Sequence, residues 1–208
     1  MNLTKKMTLA LGLLAGSTSF AQTENTTSNG LLGQQFAEFN FTFIETDSIS
    51  KLSYEPGVSF NLPLIANQVD VGGGYSYSRI RGPIKGHANS LNTYAVGYFK
   101  AEGVKPFVAA SLSHSWTSLS FGPSGNLSNW AVSAGVEIPV GAFTFTPSLA
   151  YSDDFKNGFG EGDAWTFRGE GNYWLNRRNA VFAAIAKTNL HRNPIDVWTY
   201  EVGVRVRF

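Results

Sequence analysis

The chain lacks cysteine altogether, and after its first twenty-one residues it lacks any apolar run that would cross a bilayer as a helix. Without cysteine there is no disulfide, no thiolate chemistry and no lipid attached to an N-terminal thiol. The longest unbroken apolar run of the remainder is "AVFAAIA", residues 180–186, against the ~20 residues a spanning helix needs. Charge is scarce too: Asp, Glu, Lys and Arg make up 15% of the residues, where an ordinary soluble domain carries about 25%. Nor is there an excess of one sign. Sixteen basic residues face fifteen acidic ones, so no basic surface is on offer to nucleic acid.

The front end follows a recognisable order. Lys5 and Lys6 precede the apolar stretch Met7 to Ala15, and Ser19-Phe20-Ala21 places small residues where a signal peptidase reads them. Residues 1–21 are therefore expected to be a cleaved secretory signal peptide. Their removal takes away two lysines and leaves 16 − 2 = 14 basic against 15 acidic residues, a net charge of −1. Residues 22–33, "QTENTTSNGLLG", are polar and unpatterned and read as a short periplasmic lead-in, and 34–208 form one domain.

What the chain does have is glycine, 22 residues, aromatics at 14%, and a period of two. Alternating apolar and polar side chains mark a strand, because successive side chains point to opposite faces. Ten such runs are expected, at about 34–44, 52–62, 69–79, 91–101, 106–116, 129–138, 143–152, 165–175, 180–190 and 197–208. In the first, Ala37, Phe39, Phe41 and Phe43 oppose Glu38, Asn40 and Thr42. In the fourth, Tyr94, Val96 and Tyr98 read as the apolar outer face against Thr93, Ala95 and Gly97. The sixth sets Trp130, Val132, Ala134, Val136 and Ile138 against Ala131, Ser133, Gly135 and Glu137. The ninth is apolar on both faces apart from Lys187.

Soluble strands average about 5–6 residues, whereas a strand tilted across a bilayer needs about 9–11. Most connections expected at 45–51, 80–90, 117–128, 153–164 and 191–196 are long, and those at 63–68, 102–105, 139–142 and 176–179 are tight. Long loops on one side with short turns on the other is the organisation of an outer-membrane barrel. Aromatics gather near strand ends, among them Tyr54, Tyr77, Tyr98, Trp116, Trp130, Tyr151, Trp165, Tyr173 and Trp198, as interfacial belts require. A secreted β-sandwich would alternate as well, but its core could not accept four or five large apolar residues from nearly every strand. The expectation is an all-β, closed, up-and-down antiparallel transmembrane barrel of ten strands, or eight if strand five or nine is misread, with both termini in the periplasm.

The polar face then becomes an interior. Glu38, Glu55, Asp70, Glu137, Arg168, Glu170, Glu201, Arg205 and Arg207 would project inward. Opposite signs there interlock into a plug or line a narrow polar pore, since buried ions must be paired. Catalytic chemistry finds little support. Asp153-Asp154 and His191 with Asp196 are the only candidates for an omptin-like rim, and His114 beside Ser113 and Ser115 has its neighbours on opposite faces. His87 falls in a loop, and the glycines of "NGFGEG" precede a strand rather than a helix, so they cradle no phosphate. No metal-ligand spacing and no cofactor motif are present.

The chain closes on "VWTYEVGVRVRF", with Tyr200, Val202, Val204, Val206 and Phe208 on one face. This ending resembles the C-terminal signature of bacterial outer-membrane β-barrel proteins, and the whole chain is similar in organisation to small porin-like and Opa/OmpX-type barrels. The resemblance implies a Gram-negative outer-membrane location and recognition of the last strand by the barrel-assembly machinery. It also implies a role as a narrow channel or structural barrel for small solutes, as a surface-binding adhesin acting through its loops, or more distantly as an omptin-like or lipid A-modifying enzyme.

Overall fold

The structure is a computed structural model that describes residues 30–46, 49–80, 85–101, 103–120, 124–155, 163–191 and 196–208. The expected signal peptide and the first eight residues of the expected lead-in lie outside the described residues. Among the described residues no helix is long and apolar enough to cross a membrane. Ten strands carry the fold instead: β1 Phe36–Thr46, β2 Ile49–Ile65, β3 Val69–Ile80, β4 Gly86–Tyr98, β5 Lys105–Leu119, β6 Gly125–Val140, β7 Phe143–Asp154, β8 Ala164–Trp174, β9 Asn179–Leu190 and β10 Asp196–Arg207.

Each strand pairs antiparallel with its sequence neighbours, and β1 pairs with β10 from Phe36↔Arg207 to Thr46↔Val197, which closes the barrel. Closure removes both free edges, so every strand finds backbone partners on either side without calling on solvent. Turns at the end where β1 begins and β10 finishes, called the terminal end below, are tight. Asn67, Gly103 and Gly141 sit at φ 60°, 75° and 60°, a left-handed conformation that glycine and asparagine adopt at low cost.

Strand boundaries differ from the expected ones mainly at the opposite, loop end. β4 starts at Gly86 and β6 at Gly125, and β2 runs for 17 residues. The polar stretches "GHANS" and "GNLSN" pair across strands. There the outward side chains His87, Asn89, Asn126 and Ser128 are polar as well, so the apolar–polar alternation fades while the ladder continues and Ala88, Ser90, Leu127 and Asn129 stay buried inside.

Outside the barrel, Phe39, Phe41, Phe60, Leu112, Phe145, Phe167 and Val202 are each about half exposed. A soluble protein would not spread so much apolar area around its whole circumference. Aromatic girdles flank this band. Trp130, Tyr151 and Trp165 form a chain with ring centroids 5.7 and 5.2 Å apart, and Phe143 meets Tyr173 at 5.4 Å near the terminal end.

Strand β4 departs from the expectation. Tyr94, Val96 and Tyr98 are buried inside, while Thr93, Ala95 and Gly97 face outward. Tyr98 therefore leaves the expected outer belt. The reason lies on neighbouring strands. Gly72 is opposite Tyr94 in the register, and a Cβ at Gly72 would overlap the Tyr94 ring. The Tyr94 hydroxyl donates to Asn61 Oδ1 at 3.1 Å and that of Tyr98 to Asp70 Oδ1 at 3.4 Å. These rings carry polar ends that suit an interior, and glycine on β3 makes the room.

Candidate functional site

The interior is layered. Near the loop end Ile44, Ala164, Leu190 and Val197 form a small apolar cluster. Below it, on β1, β8 and β10, lies an ionic layer. Period-two alternation sends Glu38 and Asn40, Arg168 and Glu170, and Glu201 and Arg205 to the same side of their strands. Arg205 is fully buried and holds Glu38 at 2.7 Å and Glu170 at 2.6 Å. It also donates to the Asn172 side-chain oxygen. Its guanidinium carbon lies 4.0 Å from the centre of the Phe182 ring. Arg168 bridges Glu170 at 2.8 Å and Glu201 at 2.7 Å. The Asn40 amide donates to Glu201 at 2.6 Å and to Glu38 at 3.0 Å, which joins the two halves.

This pairing follows from register. β9 separates β8 from β10 and presents only Ala180, Phe182, Ala184 and Ala186 to the interior at that level. The small alanines let long side chains from β8 and β10 reach across. Alternation marks the charged positions as inward, but only the barrel's curvature decides which ones meet.

A third layer closes the terminal end. The last residues of the expected lead-in, 30–33, do not hang free. Leu31 and Leu32 are buried, Leu32 against Tyr94, Val96, Tyr98, Phe107 and Ala109, and Leu31 against Phe36, Trp174 and Ala180. Their backbone N–H groups donate to Glu137 Oε2 at 2.5 and 3.1 Å, and that of Gly33 donates to Asp70 Oδ2 at 3.0 Å. Lys105 pairs with Glu137 at 3.1 Å. Arg207 donates to the Gly30 carbonyl at 2.6 Å, and its guanidinium covers the Trp174 ring at 3.5 Å. Buried carboxylates here find backbone donors and a cation, as they must.

Two parts of this layer are silent in the sequence. Lys105 reads as the end of a tight turn, and Leu31-Leu32 as part of a polar lead-in; the one signal is a Leu-Leu pair bounded by Gly30 and Gly33. Glu55 is buried on the wall formed by β2 to β5, against Ser76 and Ser78, and the Glu201 carboxylate acts on it electrostatically. Ser53, Ser90, Ser113 and Ser115 are buried on that wall as well, and Ser90 and Ser115 are hydrogen-bonded at 2.9 Å.

The residues weighed for rim chemistry lie at or just past the loop ends of β7, β9 and β10. Asp153 and Asp154 point to opposite faces, with Asp154 inward. Asp196 is held by Lys187 at 2.7 Å, while His191 is exposed just past β9, its N–H donating to the Asp163 carbonyl at 3.0 Å. His87 stacks on Tyr77 with centroids 6.0 Å apart. On β10, Tyr200, Val202, Val204 and Val206 are each roughly two-fifths to one-half exposed and Phe208 is 69% exposed.

No protein-family profile and no curated protein matches the chain in sequence. Solved structures do match in shape. The beta domain of the Bordetella autotransporter Brka aligns at 13% identity and TM-score 0.51, over 85% of this chain and 99% of its own. The translocator domain of the autotransporter NalP from Neisseria meningitidis aligns at 9% identity and TM-score 0.50, over 98% of both chains. Neisserial surface protein A aligns at 15% identity and TM-score 0.43, over 84% of this chain and 96% of its own. The first two agree with the fold described above, a closed antiparallel β-barrel.

Proposed function

We propose that this protein is an outer-membrane β-barrel whose lumen is sealed at rest, so that it acts as a structural or surface-binding barrel rather than as a standing pore. One observation carries this reading: the ionic layer around Arg205 and the seated Leu31–Leu32 segment occupy successive levels of the same interior. A ten-stranded barrel is only slightly wider than the eight-stranded one that its own side chains fill. Two such layers, at successive levels, are what would seal it. The exposed apolar circumference supports residence in the outer membrane, with the tight turns and both termini on the periplasmic side and the extended hairpins outside. The terminal strand would be presented to the barrel-assembly machinery through Tyr200, Val202, Val204, Val206 and Phe208.

A second reading has a specific observation in its favour. The terminal plug is a short segment held by side chains, and the wall of Ser53, Ser76, Ser78, Ser90, Ser113 and Ser115 carries no bulk. Displacement of the plug would then open a narrow, porin-like path for small solutes. Single-channel recording in planar bilayers separates the two readings. The purified protein should be electrically silent, and frequent long-lived conductance steps from the intact protein would refute the sealed barrel. Silence from the intact protein, with steps from a variant lacking residues 22–34, would assign the plug a gating role.

A further inference from the structure

We propose that the outer wall carries a binding groove for one acyl-ester lipid of the surrounding leaflet, with a His114–Ser128 pair at its polar end. The groove, about 660 Å³, lies across β4, β5 and β6, and its lining includes Leu91, Thr93, Leu112, His114, Ser128 and Phe155. That volume lies in the range of pockets that hold small ligands. The side chains of Leu91, Leu112 and Phe155 are 49%, 55% and 44% exposed, so the groove opens to what surrounds the barrel and not to its lumen.

His114 and Ser128 are directly opposite in the β5–β6 register, and Nδ1 lies 2.6 Å from the Ser128 hydroxyl oxygen. Trp116 meets the imidazole edge-on with centroids 4.5 Å apart. Polar side chains on a lipid-facing wall are costly and point to function. This pair does nothing for closure, because the backbone makes the ladder. Its depth fits an ester. Leu112 is opposite Trp130 of the loop-end girdle, and His114 is the next outward position toward the loops. Hydrocarbon gives way to headgroups at that level, where acyl-ester carbonyls lie.

The hydrogen bonding fits as well. When Nδ1 accepts from Ser128, the neutral ring carries its proton on Nε2. Among the described residues Nε2 has no hydrogen-bond partner. A carbonyl oxygen, which only accepts, completes it, with Leu91 beside the imidazole in the register and the acyl chain running down over Leu112. No carboxylate among the described residues is bonded to His114, so the pair is assigned recognition and not cleavage.

This inference rests on the membrane-spanning reading, and the test separates the two. Protein refolded in detergent is first checked for a heat-dependent gel shift; without that shift the barrel reading itself fails. The folded protein is then offered 1-palmitoyl lysophosphatidylcholine or its ether-linked counterpart, and retained lipid is counted by native mass spectrometry. The ester should be retained about two- to tenfold better than the ether, the worth of one hydrogen bond. His114→Leu should abolish that difference, Leu112→Trp should lower retention of both lipids, and Ile185→Trp on the outer face of β9 should change neither. Equal retention of ester and ether by the unaltered protein, or an undiminished preference in His114→Leu, would overturn the proposal.

Discussion

Replacing Arg205 by methionine keeps most of the side-chain volume and its contact with Phe182, but removes the cation between Glu38 and Glu170. In the native ionic layer two arginines face three glutamates. The substitution leaves Arg168 alone with all three. Removing one partner of a buried pair costs about 3–5 kcal/mol, because the remaining charge is desolvated without compensation. Since each 1.4 kcal/mol is a factor of ten, the folded-to-unfolded ratio should fall about a hundredfold to several thousandfold. Urea titration in lipid vesicles, followed by tryptophan fluorescence, measures this; Trp174 lies beside Phe36 in the layer below.

The triple variant Glu38→Gln, Glu170→Gln, Arg205→Met is the decisive comparison. It leaves Arg168 paired with Glu201 at 2.7 Å and no unpaired charge in the layer. Replacing a whole buried network is often neutral or stabilising, so the triple variant should recover most of the loss. If Arg205→Met unfolds at the native urea concentration, or the triple variant is as unstable as the single one, the layer is not the interlocked network described above.

Further outcomes follow from the faces and the terminus. Val202→Arg on the outward side of β10 should cost about 2–4 kcal/mol if it lies near the bilayer midplane, measured by the same titration, whereas Thr199→Ser on the inward side should be nearly silent. The reversed faces of β4 predict that Ala95→Arg impairs insertion more than Val96→Thr does; the opposite order would restore the alternation-based assignment. Deleting Phe208 removes at most about 1.5–3 kcal/mol of apolar burial, so its main effect should be unassembled periplasmic protein in cells, with near-normal stability after refolding in detergent. Normal assembly of that deletion at ordinary expression would leave the residue a mere interfacial anchor.

Much of the fold is local and therefore legible in the chain. A strand's side chains alternate whatever it pairs with, so Phe39, Phe41 and Phe43 against Glu38 and Asn40 announce both a strand and its two faces. Ten such runs joined by alternately long and short connections leave few topologies besides an up-and-down barrel. Alternation assumes, however, that large apolar residues face lipid. That holds for β1, β6, β8 and β10 and fails for β4, where Tyr94 enters the lumen because Gly72 on the next strand leaves space for its ring. Space is a property of two strands in register, which no single segment encodes. For the same reason Arg205 could be marked as inward while its partners Glu38 and Glu170, 167 and 35 residues away, waited on curvature. Leu31 and Leu32 sit in the lumen where apolar side chains of several strands receive them and Glu137 and Asp70 supply acceptors for their segment's backbone N–H groups. His114 met Ser128 across β5 and β6, a juxtaposition set by the ladder. Residue-by-residue periodicity is set by backbone geometry within one strand, while the meeting of side chains is set by register and closure, which only the tertiary structure decides.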